Sequence, residues 1–179
     1  MFLDIGVGIL IGVFVGFFSE SDVRLTLIIF GGFSAVIPDL DFLIYLSKRN
    51  WKVDEFTHEH RDLFHNPIIF SLGGGVILLF VNTDWSLIWA VATFLHFIHD
   101  TLQHGWGIRW GYPFDKRYFT LASYSPQWII VTKEEQRKIA IQYGNPEWLR
   151  EGYFQINPKL ILELIFLAVS SLIAFWWIT

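Results

Sequence analysis

The stretch "WSLIWAVATFLHFIHDTL" (residues 85–102) begins as an apolar run and ends in histidine and aspartate. His96 and Asp100 are four residues apart and His104 follows after four more, so a helix places the three side chains on one face. Ionisable side chains at membrane depth are costly and usually functional. The stretch therefore predicts a membrane helix that carries a polar site at one end.

The rest of the chain is also rich in apolar residues: it has 179 residues, of which 53% are hydrophobic. A membrane span needs about 20 mainly apolar residues. Five segments approach that length, at 2–18, 25–47, 67–81, 85–102 and 158–178. We therefore predict an all-α, polytopic transmembrane helical bundle of about five spans, with residues 1–179 forming a single integral-membrane domain. The first segment lacks a basic n-region, so we interpret it as a retained anchor.

The distribution of basic residues predicts the orientation of this bundle. If the five spans alternate in direction, 12 of the 13 Lys and Arg residues lie on the side of the N-terminus, and Arg24 alone lies on the other. Cytoplasmic loops carry an excess of Lys and Arg. We predict a multi-pass protein of the cell membrane, with its N-terminus in the cytoplasm and its C-terminus outside.

Residues 103–157 are too polar to span a membrane and predict a small cytoplasmic or interfacial helical segment between the fourth and fifth spans. Thr132 and Glu135 have the spacing of a capping box, which predicts a surface helix. Asn145 is a candidate cap for a second, short helix. Residues 117–131 fit a strand or a loop equally well.

The remaining polar residues point to a metal site. They form three groups: Asp39 and Asp41; His58, His60 and His65; and His96, His99, Asp100 and His104. The alternating spans bring all three to the cytoplasmic face, and Pro38 can bend its helix so that both nearby aspartates point to one region. Nitrogen and oxygen ligands without thiolate suit Zn²⁺ foremost, with Mn²⁺ or Fe²⁺ as alternatives, and up to seven donors suffice for one or two ions. Whether His58 and His99 are ligands stays open.

The same motifs, taken in order, resemble the LexA-regulated, membrane-bound metal-dependent hydrolase family (YdjM-like proteins). That family shows P-D-x-D, H-R-G-x-T-H-S, H-x-x-x-D and a glycine-containing turn before Pro-Phe. The chain has "PDLD" (38–41), "HRDLFHN" (60–66), "HFIHD" (96–100) and "GWGIRWGYPF" (105–114).

Carried over by position, the resemblance implies metal ligands at Asp39, Asp41, His60, His65, His96 and Asp100. His104 joins these candidates through its place on the helix face, and Arg61 matches the family arginine. The family glycine, threonine and serine of the second motif are replaced here by Asp62, Phe64 and Asn66. These exchanges leave the implied ligands intact.

The family's distant similarity to zinc-dependent phospholipase C and P1 nuclease implies phosphoester hydrolysis. We expect an enzyme in which Asp41 or Asp100 orients water or acts as base, and in which Arg61, with Arg109 or Lys48, binds phosphate oxygens. A site at the lipid–water boundary favours a lipid-like or phosphorylated substrate. Membrane lipids are the expected partners, and nucleic acid is not.

The alternative is a metal-ion or proton transporter, or a metal-sensing membrane protein, because intramembrane His and Asp also serve those roles. The clustering of candidate ligands at one face disfavours a path across the membrane. Asp4 and Glu163, near the ends of the first and fifth spans, are interpreted as solvated or paired structural groups.

Overall fold

The computed structural model describes residues 1–19, 24–54, 56–102, 107–121, 128–143 and 145–179. In this part of the chain the protein is mostly helical. Its α-helices are α1 (Phe2–Phe18), α2 (Arg24–Ser34), α3 (Leu40–Lys48), α4 (Gly74–Leu79), α5 (Thr83–Leu102), α6 (Lys133–Tyr143) and α7 (Pro158–Ile178). Short 3-10 segments lie at Ile37–Asp39 and Thr57–Asp62, and π-helical segments at Ile68–Gly73 and Arg150–Phe154.

All five predicted spans coincide with helical segments, but their lengths differ. Among the described residues, α7 is the one helix that is long and apolar enough to cross a membrane by itself. The segments Arg24–Ser34 and Ile37–Lys48 meet that requirement only as a pair bent by 46°, while Phe2–Phe18 and Ile68–Leu79 are apolar but shorter. Helix length and composition thus do not confirm the predicted five-span bundle.

The packing of α1 against α2 depends on glycine. A Cβ atom on Gly8 would overlap the carbonyl group of Gly31, and a Cβ on Gly31 would overlap that of Gly8. A Cβ on Gly12 would meet the carbonyl of Leu27 in the same way. The two backbones are therefore in direct contact, as is common where small residues line a helix interface in membranes.

The chain bends where α2 gives way to α3. Pro38 lies in the intervening 3-10 segment and removes a backbone donor there. As a result, Asp39 ends the 3-10 segment and Asp41 lies in the first turn of α3. The predicted disturbance of the helix at Pro38 is thus present.

The third apolar segment packs on α5 in an irregular way. The indole N–H of Trp89 donates to the carbonyl of Phe70 in the π-helical segment at 2.8 Å, and the missing side chain of Gly74 makes room for that indole. Asn82 caps α5 by accepting a hydrogen bond from the backbone N–H of Trp85 at 3.0 Å.

The segment between α5 and α7 contains a β-hairpin as well as helices. Strands β1 (Tyr118–Leu121) and β2 (Trp128–Val131) pair antiparallel, which resolves the open choice between strand and loop within an otherwise helical protein. Seven of the eight strand residues are β-branched or aromatic, as is typical of sheets. The predicted capping box is confirmed, because the backbone N–H of Thr132 donates to Glu135 Oε2 at 2.7 Å and that of Glu135 to Thr132 Oγ1 at 3.3 Å. Asn145 caps the turn that leads to Arg150–Phe154.

The termini of the helices identify two ends of the bundle. At one end, the start of α1 lies beside the end of α5, where His99 Nδ1 is 2.7 Å from Asp4 Oδ1. At the other, Ser19 Oγ donates to Asp84 Oδ2 at 2.5 Å, and the guanidinium of Arg24 lies 4.9 Å from the ring of Trp177. The beginning of α1 and the end of α5 therefore share one end, as alternating spans require.

Candidate metal centre

Three parts of the chain supply the candidate site. Helix α5 contributes His96 and Asp100, whose four-residue spacing places both side chains inward, 1% and 11% exposed. The bend at Pro38 contributes Asp39, and the loop before the third apolar segment contributes His65, which is fully buried. The predicted convergence of the three polar groups is thus present in the structure.

Four of these side chains form a compact group, which we call the four-donor cluster: Asp39, His65, His96 and Asp100. One nitrogen or oxygen from each lies within 4.8 Å of the others. His65 Nε2 is 3.1 Å from Asp100 Oδ2 and 3.8 Å from Asp39 Oδ1, and His96 Nε2 is 3.6 Å from Asp39 Oδ1.

Several atoms of the four-donor cluster are buried without a hydrogen bond in the described residues. They include His65 Nε2 and His96 Nε2. Buried polar atoms normally have a hydrogen-bond partner, so such atoms facing one another need an explanation. Two imidazoles and two carboxylates are donors that a divalent transition metal accepts. The residues present therefore fit a metal ion, of a kind that the geometry does not identify.

A second group lies behind His65 and consists of Asp41, His60 and His65 itself. Asp41 Oδ2 is 2.9 Å from His65 Nδ1 and accepts a hydrogen bond from the backbone N–H of Phe64 at 3.1 Å. His60 Nδ1 contacts the carbonyl of Thr57. Asp41 therefore holds the ring of His65 from the nitrogen that points away from the four-donor cluster.

The two loop histidines have opposite electrostatic surroundings. Burial lowers the pKa of His60 to about 4, with the neighbouring His65 as the next cause, so its ring is neutral near pH 7. Burial also opposes the charged form of His65, but the neighbouring carboxylates of Asp41, Asp100 and Asp39 outweigh it and raise the pKa of His65 well above its usual value. The carboxylates around His65 thus create a strong local demand for positive charge.

Arg61 is buried and engaged with Asp100. Its Nη2 lies 3.0 Å from Asp100 Oδ2, and its Nη1 donates to the main-chain carbonyl of the same residue at 3.4 Å. The guanidinium therefore neutralises and orients a cluster carboxylate in this structure. Its predicted contact with substrate phosphate stays a prediction, as does the corresponding role of Arg109, which donates to the carbonyl of Asp62.

His58 and His99 lie apart from the four-donor cluster. His58 is buried but belongs to neither group, and His99 faces Asp4. His104 lies outside the described residues. Of the seven predicted ligands, the six within the described residues therefore all lie in one of the two groups.

Sequence reasoning missed two acidic residues that hold the loop of His60 and His65 in place. Asp62 receives contacts from Tyr118 of β1 and Lys133 of α6, and Glu59 lies 2.6 Å from Arg137 of α6. The hairpin and α6 are therefore tied to this loop by ion pairs and hydrogen bonds. The one sequence signal was the acidic residue at 62, where the resembled motif has glycine.

Comparison with known families supports the membrane assignment. The family model described as "YdjM inner membrane protein" matches residues 4–178. The match covers almost the whole chain, and the chain belongs to this family. No curated protein and no solved structure matches. The family name supports a location in the membrane, and the resemblance expected from the motifs is confirmed.

Proposed function

We propose that this member of the YdjM inner membrane protein family is a metal-dependent hydrolase of phosphoester bonds in a lipid-type substrate. In this proposal the five apolar segments lie in the membrane, and the four-donor cluster lies at the cytoplasmic face together with the N-terminus. The observation that carries the proposal is a buried set of nitrogen and oxygen donors with one member open to the outside.

That open member is Asp39. Its side chain is 37% exposed, against 0% for His65 and 11% for Asp100. Structural metal sites are closed by protein ligands, whereas catalytic sites keep a position open for water or substrate. The exposed side of Asp39 is the direction from which we expect a substrate to approach.

The four-donor cluster would hold one divalent ion, with Zn²⁺ favoured and Mn²⁺ or Fe²⁺ as alternatives. A bound ion supplies a Lewis acid that polarises a phosphoryl group and activates water. Asp41 bonds to His65 Nδ1 and so directs the lone pair of Nε2 toward the cluster, the arrangement expected of an outer-shell carboxylate. A second ion would require His65 to use both ring nitrogens, so we favour a single ion.

The remaining roles are those of proton acceptor and of positioning the cluster carboxylates, and side chains of the protein fill both. Asp39 Oδ1 faces the two histidines of the cluster, which leaves Oδ2 to accept the proton of an attacking water. Arg61 fixes Asp100 through the 3.0 Å ion pair. We therefore propose Asp39 as the proton acceptor in place of Asp41 or Asp100, both of which are buried.

An apolar groove beside the site supports a substrate with a hydrocarbon tail. The groove lies between α1 and α2 and is lined by Ile5, Ile9, Ile28, Ile29, Gly32, Phe33 and Val36. Val36 connects it to the site, because its carbonyl accepts the backbone N–H of Asp39 at 3.0 Å. A tail in the groove would place the attached phosphate beside Asp39.

The distribution of charge weighs against a transporter. In the described residues, all buried histidines and charged side chains lie at the end of the bundle that holds the site: Asp4, Asp41, His58, His60, Arg61, His65, His96, Asp100 and Glu163. Buried polar groups elsewhere in the helices are hydroxyls such as those of Ser71 and Thr93, which bond to each other at 2.7 Å. A conducting path would need polar groups throughout the depth of the membrane.

The test is metal analysis and an activity screen of purified full-length protein. Phospholipids, a polyprenyl phosphate and a soluble phosphomonoester would be assayed with Zn²⁺, Mn²⁺ and Fe²⁺. We expect metal-dependent hydrolysis of a lipid substrate that Asp39→Asn abolishes. The matched control is Asp115→Asn, because Asp115 is an aspartate paired with Arg117, 2.6 Å away, outside the site. Metal-independent hydrolysis, or hydrolysis that survives in Asp39→Asn, would contradict the proposal.

A further inference from the structure

The ring of His96 lies between the four-donor cluster and a carboxylate from a different helix. Its Nε2 faces Asp39 Oδ1 at 3.6 Å, and its Nδ1 lies 3.9 Å from Oδ1 of Asp4 on α1. His96 is 2% exposed, and neither ring nitrogen makes a hydrogen bond within the described residues. The ring of His96 therefore lies between two carboxylates, that of Asp39 on the Nε2 side and that of Asp4 on the Nδ1 side.

Asp4 is itself buried, at 5% exposure, near the start of an apolar helix. Its Oδ1 lies 2.7 Å from Nδ1 of His99, and its Oδ2 lies 2.8 Å from the amino group of Met1. A carboxylate at membrane depth is costly unless it is paired or has a function. These contacts fix the carboxylate on the outer side of the ring of His96.

A carboxylate also lies beside Nδ1 of the other histidine of the cluster, and there the contact is short enough for a hydrogen bond. Asp41 contacts His65 Nδ1 at 2.9 Å while His65 Nε2 faces the cluster. Each of the two histidines thus has a carboxylate on its Nδ1 side and the cluster on its Nε2 side. A carboxylate in that place selects the tautomer and orientation of a metal-binding histidine.

We propose that Asp4 is a positioning residue of the metal centre, which keeps the proton of His96 on Nδ1 and so directs the lone pair of Nε2 into the four-donor cluster. The inference rests on the metal site proposed above. At 3.9 Å the contact is electrostatic rather than a hydrogen bond, and Asp4 divides its attraction between His96 and His99. Helix α1 therefore contributes to the centre although it supplies no ligand.

A merely structural role for Asp4 predicts something different, and Glu163 provides the comparison. Glu163 on α7 is also 5% exposed, and its recorded ion pairs are with Lys159 at 3.8 Å and the amino group of Met1 at 3.7 Å. No ion pair joins it to His65 or His96 among the described residues. If Asp4 only balances positive charge at this end of the bundle, as Glu163 does, replacing either carboxylate should change metal binding to the same extent.

The experiment is titration of purified full-length protein with Co²⁺, followed by the visible spectrum of the bound ion. Asp4→Asn should weaken Co²⁺ binding roughly 10- to 100-fold, the usual effect of losing an outer-shell partner, and should change the spectrum. Glu163→Gln should bind Co²⁺ with native affinity and a native spectrum. Native behaviour of Asp4→Asn, or an equal loss in Glu163→Gln, would overturn the inference.

Two further variants separate the routes through which Asp4 acts. His99→Gln should retain the native spectrum if Asp4 acts on His96 directly, and it should reproduce the loss if Asp4 acts only through His99. If Asp4→Asn does not fold, Asp4→Glu keeps the charge and moves the carboxylate, so an unchanged spectrum in that variant would contradict the inference. Absence of Co²⁺ binding by the native protein would instead remove the proposed metal centre itself.

Discussion

The two ends of the helical bundle differ in what they bury. The end that holds Asp4, His65 and His96 places imidazoles and carboxylates out of contact with solvent. Toward the other end, the buried core consists of Val15, Leu27 and Ile88. The proposed function therefore rests on one end of the bundle, where the buried nitrogen and oxygen donors lie.

The largest effect is expected from removing donors at the polar end. Alanine at any one of the four cluster residues, Asp39, His65, His96 or Asp100, should lower metal affinity by more than the roughly 100-fold that outer-shell changes reach. Elemental analysis of the purified variants measures this loss. The control is His58→Ala, which removes a buried imidazole outside both groups and should retain the metal. Full metal occupancy in all four variants would contradict metal binding by the four-donor cluster.

Labelling with a membrane-impermeant maleimide should assign each end to one side of the membrane. The chain contains no cysteine, so an introduced thiol is the single reactive site. In intact cells, a cysteine at Thr83 should be labelled and one at Lys52 should be protected until the cells are opened. The reverse pattern would place the four-donor cluster outside the cell.

A smaller effect, on stability, is expected at the contact between α1 and α2, which runs between the two ends of the bundle. Gly8→Ala forces a Cβ into the carbonyl of Gly31 and should lower the unfolding free energy by about 1–3 kcal/mol. Gly32→Ala is the matched control, because its Cβ would have its nearest neighbour at 3.5 Å. Thermal unfolding in detergent compares the two. Equal stability of both variants would mean that the backbones are not in contact.

The smallest effect is expected at the apolar end. Ser19→Ala removes the 2.5 Å hydrogen bond to Asp84 and should cost about 1 kcal/mol of stability. Metal content should not change, because this pair lies at the opposite end from the cluster. A loss of metal in Ser19→Ala would show that the two ends are coupled.

The sequence predicted the positions of the helices and the end at which the polar residues meet. Long apolar runs define the helices, and alternation of direction brings the ends of α2 and α5 together. The orientation of side chains was not predictable to the same degree. The motif does not distinguish Asp39 from Asp41. In the structure, Asp39 belongs to the four-donor cluster, whereas Asp41 contacts His65 Nδ1 from outside it.

Contacts between side chains far apart in the chain were the other feature that the sequence alone did not predict. The contact of Asp4 with His99 joins residues 95 apart, and the sequence alone gives no sign of it. The contact of Arg61 with Asp100 spans 39 residues and is hidden in the same way. The strands at 118–121 and 128–131 stayed open because aromatic and β-branched residues also suit a loop at a membrane surface.

The glycine contact between α1 and α2 has a consequence for how the protein responds to bilayer thickness. α1 has 17 residues and so extends about 26 Å, less than the roughly 30 Å of a typical hydrocarbon core. In the proposed membrane placement, we expect the bilayer to thin locally around α1. Because the backbones are in contact at Gly8 and Gly31, we expect α1 and α2 to move together when the lipid composition changes.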